Sequence, residues 1–178
     1  NLIRHFEKGD QAINLKIAVT GYEVATTVFT QKDFPKEWGN IQDEIREIFI
    51  IQILEELSKN RGNLQAISPL LQANKHKLDQ RFATVLRSWA TTILSKEPPQ
   101  YTKKDIAASI VGLSLVIKEF RQGNERNNLE IAITGYEVAS TVLTREDFPE
   151  KWGLCQMMLG NAYHERIKGE KAENVEKS

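Results

Sequence analysis

The amino-acid sequence predicts an all-α protein in which antiparallel helix hairpins stack as an array. One observation is an internal repeat, which occurs once in each half of the chain. A second is that apolar residues recur at steps of three and four, which places them on one face of an α-helix. Runs of alternating apolar and polar residues between turn dipeptides, which predict strands, do not appear in the sequence. We therefore expect helices and no sheet.

The repeat is the strongest pattern in the sequence. Residues 14–39 align without gaps to residues 128–153, and 18 of the 26 positions are identical. A shorter signature, Gly-x-x-x-x-Asn-[Leu/Val], begins at Gly9, Gly123 and Gly169, and the last two starts are 46 residues apart. That period is typical of stacked helix pairs. It predicts repeat units at 1–39 and 123–178, the first partial and the last truncated, on either side of a degenerate helical segment at 40–122.

The repeated unit contains a helix with two apolar faces. The spacing predicts that one face holds Leu129, Ala132, Ile133, Tyr136, Ala139 and Leu143, equivalent to Leu15, Ala18, Val19, Tyr22, Ala25 and Phe29. A second face holds Ile131, Val138 and Val142, so we expect neighbours on two sides of the helix. Asn127 and Asn128 offer capping oxygens at its start. The Asp-Phe-Pro at 147–149 is expected to end it, because the residue before proline avoids the α region.

The segment between the repeats is also predicted to be helical. Ile41, Ile45 and Ile48 begin a helix that becomes apolar nearly all round near Ile51, which indicates burial. Pro69 suits a first helical turn after Ser68, but this boundary stays open. Two further helices are predicted by apolar spacing, one over 78–93 before Pro98-Pro99 and one from the capping box Thr102–Asp105 to a stop at Gly123.

Composition excludes several classes of partner. Lysine plus arginine equals aspartate plus glutamate, at 24 each, so the overall positive charge that favours nucleic acid or anionic lipid is missing. The longest apolar run, near Ile48, is far shorter than the roughly 20 residues that span a bilayer. The single cysteine, Cys155, cannot form an internal disulfide, which favours a reducing cytoplasm. We expect neither a nucleic-acid partner nor a membrane.

Three phrases resemble a known family. Leu159-Gly160-x-x-Tyr163 and Ala132-x-x-x-Tyr136-x-x-Ala139 have the small-and-aromatic pattern of a tetratricopeptide repeat. The longer phrases at 128–139, 144–152 and 159–174 closely resemble the repeats of large cyanobacterial proteins that end in a caspase-like CHAT domain. The resemblance covers 1–39 and 124–178. It implies a scaffold or regulatory region attached to a peptidase-like domain outside this chain, with a bend between paired helices at Gly169.

No arrangement of reactive residues predicts an enzyme. Cys155 and His164 lie nine residues apart on one predicted helix, a rise of about 13.5 Å, which is beyond hydrogen-bond reach. His5 and His76 have no cysteine or carboxylate cluster at ligand spacing, so we expect neither a metal nor a cofactor. The Asp-Phe-Pro-x-x-Trp turns with Trp38 and Trp152 predict packing at a corner between hairpins; a ligand pocket around tryptophan is the alternative.

The inner face of the repeat array, normally lined by the first helix of each pair, is predicted to bind a partner. In the last unit it exposes Met157, Asn161, His164 and Glu165, opposite the packed Leu159, Ala162 and Tyr163. The expected function is a non-catalytic interaction scaffold that binds a protein, a peptide or the effector domain of its own chain. The alternatives are a regulatory arm of a CHAT peptidase and, for this face, a plainly solvated surface. Both chain ends look cut, so we also expect apolar repeat ends that associate end to end.

Overall fold

A computed structural model describes residues 11–60, 63–96 and 102–176 of the chain. Within those residues it contains α-helices and no strand, so the predicted all-α class is confirmed; the stacked, tetratricopeptide-like arrangement and the three predicted segments stay predictions. His5, Gly9 and Pro98-Pro99 lie outside the described residues. The helices are α1 (Gln11–Ala25), α2 (Pro35–Lys59), α3 (Leu64–Ala73), α4 (Gln80–Lys96), α5 (Lys103–Glu119), α6 (Glu125–Ser140) and α7 (Pro149–Glu176).

The chain forms two compact units, and the boundary between them lies after Gln52. In the first unit, the Tyr22 hydroxyl of α1 donates a hydrogen bond to the Glu44 carboxylate of α2 over 3.3 Å. The predicted burial of the apolar stretch of α2 is confirmed, because Ile48, Phe49 and Ile50 have no exposed surface.

Helix α6 is central to the second unit because α4, α5 and α7 all pack against it. Both of its predicted faces are buried: Tyr136 and Ala139 on the first, and Ile131 and Val138 on the second. A single apolar cluster joins α6 to Ala90 and Leu94 of α4, Ile106, Ala107 and Ile110 of α5, and Cys155 and Ala162 of α7. The expectation that the repeated helix is packed on two sides therefore holds for α6.

Two glycines, Gly135 and Gly123, lie where α5 and its C-terminal end approach α6 closely. Gly135 of α6 faces Ser114 of α5, and a methyl group added at Gly135 would overlap the Ser114 hydroxyl and approach its Cβ to 3.2 Å. That hydroxyl donates to the Ile110 carbonyl over 2.8 Å. At the end of α5, the Asn128 amide donates to the Phe120 carbonyl over 2.8 Å. A Cβ at Gly123 would lie 3.0 Å from that amide, so the Gly and Asn of the repeated signature fit each other.

The capping residues of α6 differ from the predicted ones. Asn124, rather than Asn127 or Asn128, is the N-cap, and its side chain accepts from the Asn127 backbone N–H over 3.0 Å. Asn128 lies inside α6, and its side chain donates a hydrogen bond to the Phe120 carbonyl at the end of α5. Thr102 and Asp105 form the predicted capping box at the start of α5.

The prolines also lie at other helix positions than expected. Helix α6 ends at Ser140, before the Asp-Phe-Pro turn, and Pro149 is instead the first residue of α7, where its missing N–H removes no helical hydrogen bond. Helix α3 starts at Leu64 after the N-cap Asn63 and includes Pro69 in its interior. Helix α7 continues through Gly169 without the predicted bend.

The two repeat copies share their local structure. In each, a threonine side chain bonds the aspartate three residues later, Thr30 to Asp33 at 2.8 Å and Thr144 to Asp147 at 2.9 Å. The backbone bonds through the turn recur at equivalent positions. Burial differs among the described residues, however, because Ile17 and Val24 of α1, and Val28 in the turn that follows it, are exposed. Whether a second helix covers this side of α1 stays a prediction, because residues 1–10 lie outside the described residues.

The two equivalent glycines should respond in opposite directions to alanine. Gly135→Ala is expected to lower the free energy of unfolding by roughly 1–2 kcal/mol, because overpacking against Ser114 exceeds the helix-propensity gain. A methyl group added in Gly21→Ala meets no atom of the described residues within 4 Å, so this change should raise the free energy of unfolding by up to about 1 kcal/mol. Urea unfolding followed by circular dichroism measures both. Adding Ser114→Gly to Gly135→Ala should recover stability; equal effects at the two glycines would disprove the close approach.

Candidate functional site

The four residues of the predicted binding face are all exposed on α7. Met157 is 56% exposed, and Asn161, His164 and Glu165 are also exposed. Their spacing of four, three and one residues places them on one broad side of the helix. Of the three residues expected to be packed opposite, Ala162 is buried and Leu159 packs against the apolar cluster, whereas Tyr163 keeps 38% of its surface exposed. Whether this face binds a partner stays a prediction.

The opposite side of α7 is held against α6. Cys155 is buried, and its Sγ lies 3.5 Å from the Tyr136 carbonyl oxygen and 3.4 Å from the Ser140 hydroxyl. The Gln156 amide donates to the same hydroxyl over 3.2 Å. These contacts, together with the buried Ala162, fix the rotation of α7 about its axis and so decide which side chains face solvent.

A polar cluster on α6 joins α4 to α7. The Glu137 carboxylate binds the guanidinium of Arg87 on α4 and accepts a hydrogen bond of 2.6 Å from the Tyr163 hydroxyl on α7. Burial alone would raise the pKa of Glu137, but the hydrogen bonds from Tyr163 and Arg87 outweigh it, and the pKa is lowered. The same hydrogen bond raises the pKa of Tyr163. Glu137 is therefore a structural anion between three helices.

A second ion pair extends this cluster along α6. The Arg166 guanidinium of α7 lies 3.3 Å from the Glu130 carboxylate and 5.7 Å from the centre of the Tyr163 ring, which is cation–π range. Because Glu130 and Glu137 are seven residues apart, they share one side of α6. The ion pair at Glu130 and the hydrogen bond at Glu137 therefore hold α7 against α6 at two points along the helix.

The other edge of α7 is tied to α5. The Lys118 ammonium lies 2.8 Å from the Glu165 carboxylate. Partial burial lowers the pKa of Lys118, but hydrogen bonds to Glu165 and Glu119 outweigh it, so the pKa is raised overall. Glu165, one of the four predicted face residues, is therefore already paired within the protein.

The Tyr136 hydroxyl is buried and has no hydrogen-bond partner among the described residues. Burial, the largest cause, raises its pKa. In the first repeat copy the equivalent Tyr22 donates to Glu44, whereas Met158 stands at the position equivalent to Glu44. The second copy keeps the tyrosine but has a thioether where the first copy has the acceptor.

Cys155 and His164 lie on different sides of α7. Cys155 is buried, which raises the pKa of its thiol, while His164 is exposed on the other side of α7; the expected separation of the two residues is confirmed. Within the described residues, no group of three histidine, cysteine, aspartate or glutamate side chains could hold a metal ion. No helix there is long and apolar enough to cross a membrane.

A surface depression lies where α5 begins, next to the turn before α7. Its two carboxylates are occupied, because Asp105 accepts from the Thr102 hydroxyl over 2.6 Å and Asp147 from the Thr144 hydroxyl over 2.9 Å. The Lys104 ammonium lies 5.4 Å from the centre of the Phe148 ring. Phe148 itself packs against the apolar cluster, as predicted for this turn. The Arg145 guanidinium lies 5.8 Å from the centre of the Trp152 ring, and corner packing by Trp38 and Trp152 stays a prediction.

The polar cluster on α6 has no signature in local sequence spacing. Arg87 and Glu137 are far apart in the chain, and no local spacing relates them. The only available signal was the seven-residue separation of Glu130 and Glu137 on an otherwise apolar helix.

Comparison of the chain with protein-family models, with curated proteins and with solved structures finds no match.

Removing the Tyr136 hydroxyl should not cost stability. Tyr136→Phe is expected to raise the free energy of unfolding by roughly 1 kcal/mol, because a buried hydroxyl without a partner carries an uncompensated desolvation cost. Tyr22→Phe, the matched change in the first copy, should lower it by up to about 1 kcal/mol through loss of the bond to Glu44. Urea unfolding tests both. A loss of stability in Tyr136→Phe would mean that the hydroxyl is bonded in solution.

Acid should weaken the α4–α6–α7 cluster through Glu137. Its pKa is held below the ordinary 4.5, so its stabilisation is present above that value and is lost as pH falls through the lowered pKa. Acidification lowers the free energy of unfolding of the wild type. In Glu137→Gln this decrease should be smaller by a few tenths to about 1 kcal/mol. Unfolding free energies at neutral pH and near pH 3 measure this. Glu23→Gln, at the equivalent position of α1, is the control; identical acid profiles for wild type and Glu137→Gln would refute the role.

Proposed function

We propose that this chain is a non-catalytic interaction scaffold whose helix hairpins form a tetratricopeptide-like array. It binds a protein or peptide, or the effector domain of its own chain, through the exposed outer face of α7, which we assign to the inner surface of that array. That face is defined by Met157, Asn161, His164 and Glu165. We place the scaffold in the cytoplasm, where the single thiol of Cys155 stays reduced.

The observation that carries the proposal is the combination of an exposed α7 face with a fixed α7 backbone. Contacts to α6 hold the inner side of α7, and ion pairs to Glu130 and Lys118 hold its two edges. Side chains on the outer face are thereby presented on a rigid helix, which positions a binding surface more accurately than a loop does. A partner meets this surface without first having to order it, which lowers the entropic cost of binding.

The composition of the face suits a protein interface. Met157 and the neighbouring Leu154 are about half exposed, and methionine is enriched at interface cores. Asn161 and His164 add polar groups beside them. Because Glu165 forms an ion pair with Lys118, its negative charge at the edge of this face is neutralised. An apolar centre with a polar rim is the usual organisation of a specific interface.

A regulatory arm of a CHAT peptidase is the second candidate function. The phrases at 128–139, 144–152 and 159–174 support it through their resemblance to the repeats of such proteins. In that role the α7 face would contact the peptidase domain rather than a separate partner. Sequencing the native gene tests this candidate: a caspase-like Cys/His domain in the same reading frame supports it, and a gene without one rules it out.

A charge at the centre of the α7 face should abolish partner binding. Peptides selected from a displayed library against the full chain are expected to lose at least tenfold in affinity for Met157→Asp, because the aspartate would lose its hydration on contact with the partner. Thr91→Asp, on an exposed position of α4, is the matched control and should bind as wild type. Isothermal titration calorimetry measures both. Selected peptides that bind Met157→Asp as well as wild type would show that this face is not the site.

A further inference from the structure

The outer side of α7 exposes apolar side chains on either side of a small residue. Leu154 and Met157 are 47% and 56% exposed. Gly160 lies three residues after Met157, and a Cβ added there would meet no atom of the described residues within 4 Å. Residues three apart share one side of a helix. Large apolar side chains that are grouped in this way and exposed mark an interaction site.

The first repeat copy has polar residues at the same positions. Asn40 and Asp43 of α2 are the equivalents of Leu154 and Met157. Asp43 is half-buried, whereas Met157 is exposed. The second copy therefore has apolar side chains at positions that face solvent in α7, although exposed positions usually hold polar residues. This difference between the copies favours a contact between α7 and another molecule.

The spacing of residues on this side of α7 is symmetric about Met157. Leu154 lies three residues before Met157 and Gly160 three residues after it, while Glu150 lies seven before and His164 seven after. At 100° per residue, all four lie within about 60° of Met157 around the helix. If two α7 helices cross in opposite directions at Met157, the Leu154 of each is level with the Gly160 of the other. A large residue then meets a small one at two places, which allows close packing.

Charge is complementary in the same antiparallel arrangement. Glu150 and His164 are both exposed, and the Glu150 of each helix is level with the His164 of the other. The imidazole N–H of His164 can donate to the Glu150 carboxylate in either protonation state of the ring. In a parallel pair, by contrast, the two Glu150 carboxylates would face each other and repel. The pattern on α7 is thus self-complementary only when the second helix runs in the opposite direction.

We propose that the outer side of α7 binds a second copy of this chain, α7 against α7, about a two-fold axis at Met157. A two-fold contact uses the same surface of both copies, which is the property that the symmetric spacing on α7 provides. The contacts of α7 to α6 hold the helix in place before the second copy arrives. This inference rests on the proposed function, because it names the partner of the α7 face.

Exchange of the large and the small residue tests the antiparallel contact. Sedimentation velocity of the full chain is expected to show a concentration-dependent dimer. Gly160→Leu should raise its Kd at least tenfold, because leucine would meet leucine at both places, while the added side chain starts in open space within its own chain. Combining Leu154→Gly with Gly160→Leu should restore the dimer, since each large residue again meets a small one.

Thr91→Leu, on an exposed position of α4, is the matched control and should leave the Kd of the dimer unchanged. A chain that stays monomeric at every concentration reached would overturn the proposal. A dimer that Gly160→Leu leaves intact would also overturn it.

Cross-linking tests the position of the two-fold axis. Met157→Cys should form a disulfide between two copies under oxidised glutathione, because the two residues meet at the axis. His164→Cys should not, because the two copies of that residue lie roughly 21 Å apart along the helices. Non-reducing electrophoresis measures both, with the wild type, whose Cys155 is buried, as control. Equal cross-linking of the two variants would overturn the antiparallel contact.

Failure of this inference and failure of the proposed function give different results. A monomeric chain whose selected peptides still lose affinity in Met157→Asp would overturn the second copy as the partner and leave the α7 face as the proposed binding surface. A monomeric chain whose selected peptides bind Met157→Asp as well as wild type would overturn both.

Discussion

The close approach of α5 and α6 at Gly135 and Ser114 is the constraint on which the second unit depends. With no side chain at Gly135 and a small one at Ser114, the two helices come near enough for α6 to be enclosed. Once α6 is fixed, α4 and α7 also pack against it. The ion pairs at Glu130 and Glu137 then set the position of α7 on that base. The exposed α7 face is thus a consequence of one glycine on the far side of α6.

The two repeat copies show that one sequence can serve two environments. Local structure is set within the copy, so the Thr–Asp turn and the following proline-initiated helix recur. Burial is set from outside the copy, by the helices that lie beside it. The substitution of Met158 for the acceptor at Glu44 shows the same division, because it changes a contact between helices while leaving each helix intact.

Sequence predicted the features that depend on neighbours along the chain. The apolar stripes of α6, the Thr102–Asp105 capping box and the buried stretch near Ile48 are all local patterns, and the structure confirms them. The N-cap of α6 was misplaced because several asparagines near Asn124 have equal capping chemistry. The Arg87–Glu137 pair could not be predicted, because it depends on which helices meet in space. Helical periodicity predicted that the four residues of the α7 face are exposed. It could not predict that Glu165 is paired with Lys118.

The burial of the single cysteine makes the chain a reporter of its own local opening. Cys155 is buried against α6, with its Sγ 3.5 Å from the Tyr136 carbonyl oxygen. A thiol reagent therefore reaches it only when α7 separates from α6, and the rate of labelling measures the free energy of that local opening. Because the sequence holds no second cysteine, every labelled molecule reports on this one interface.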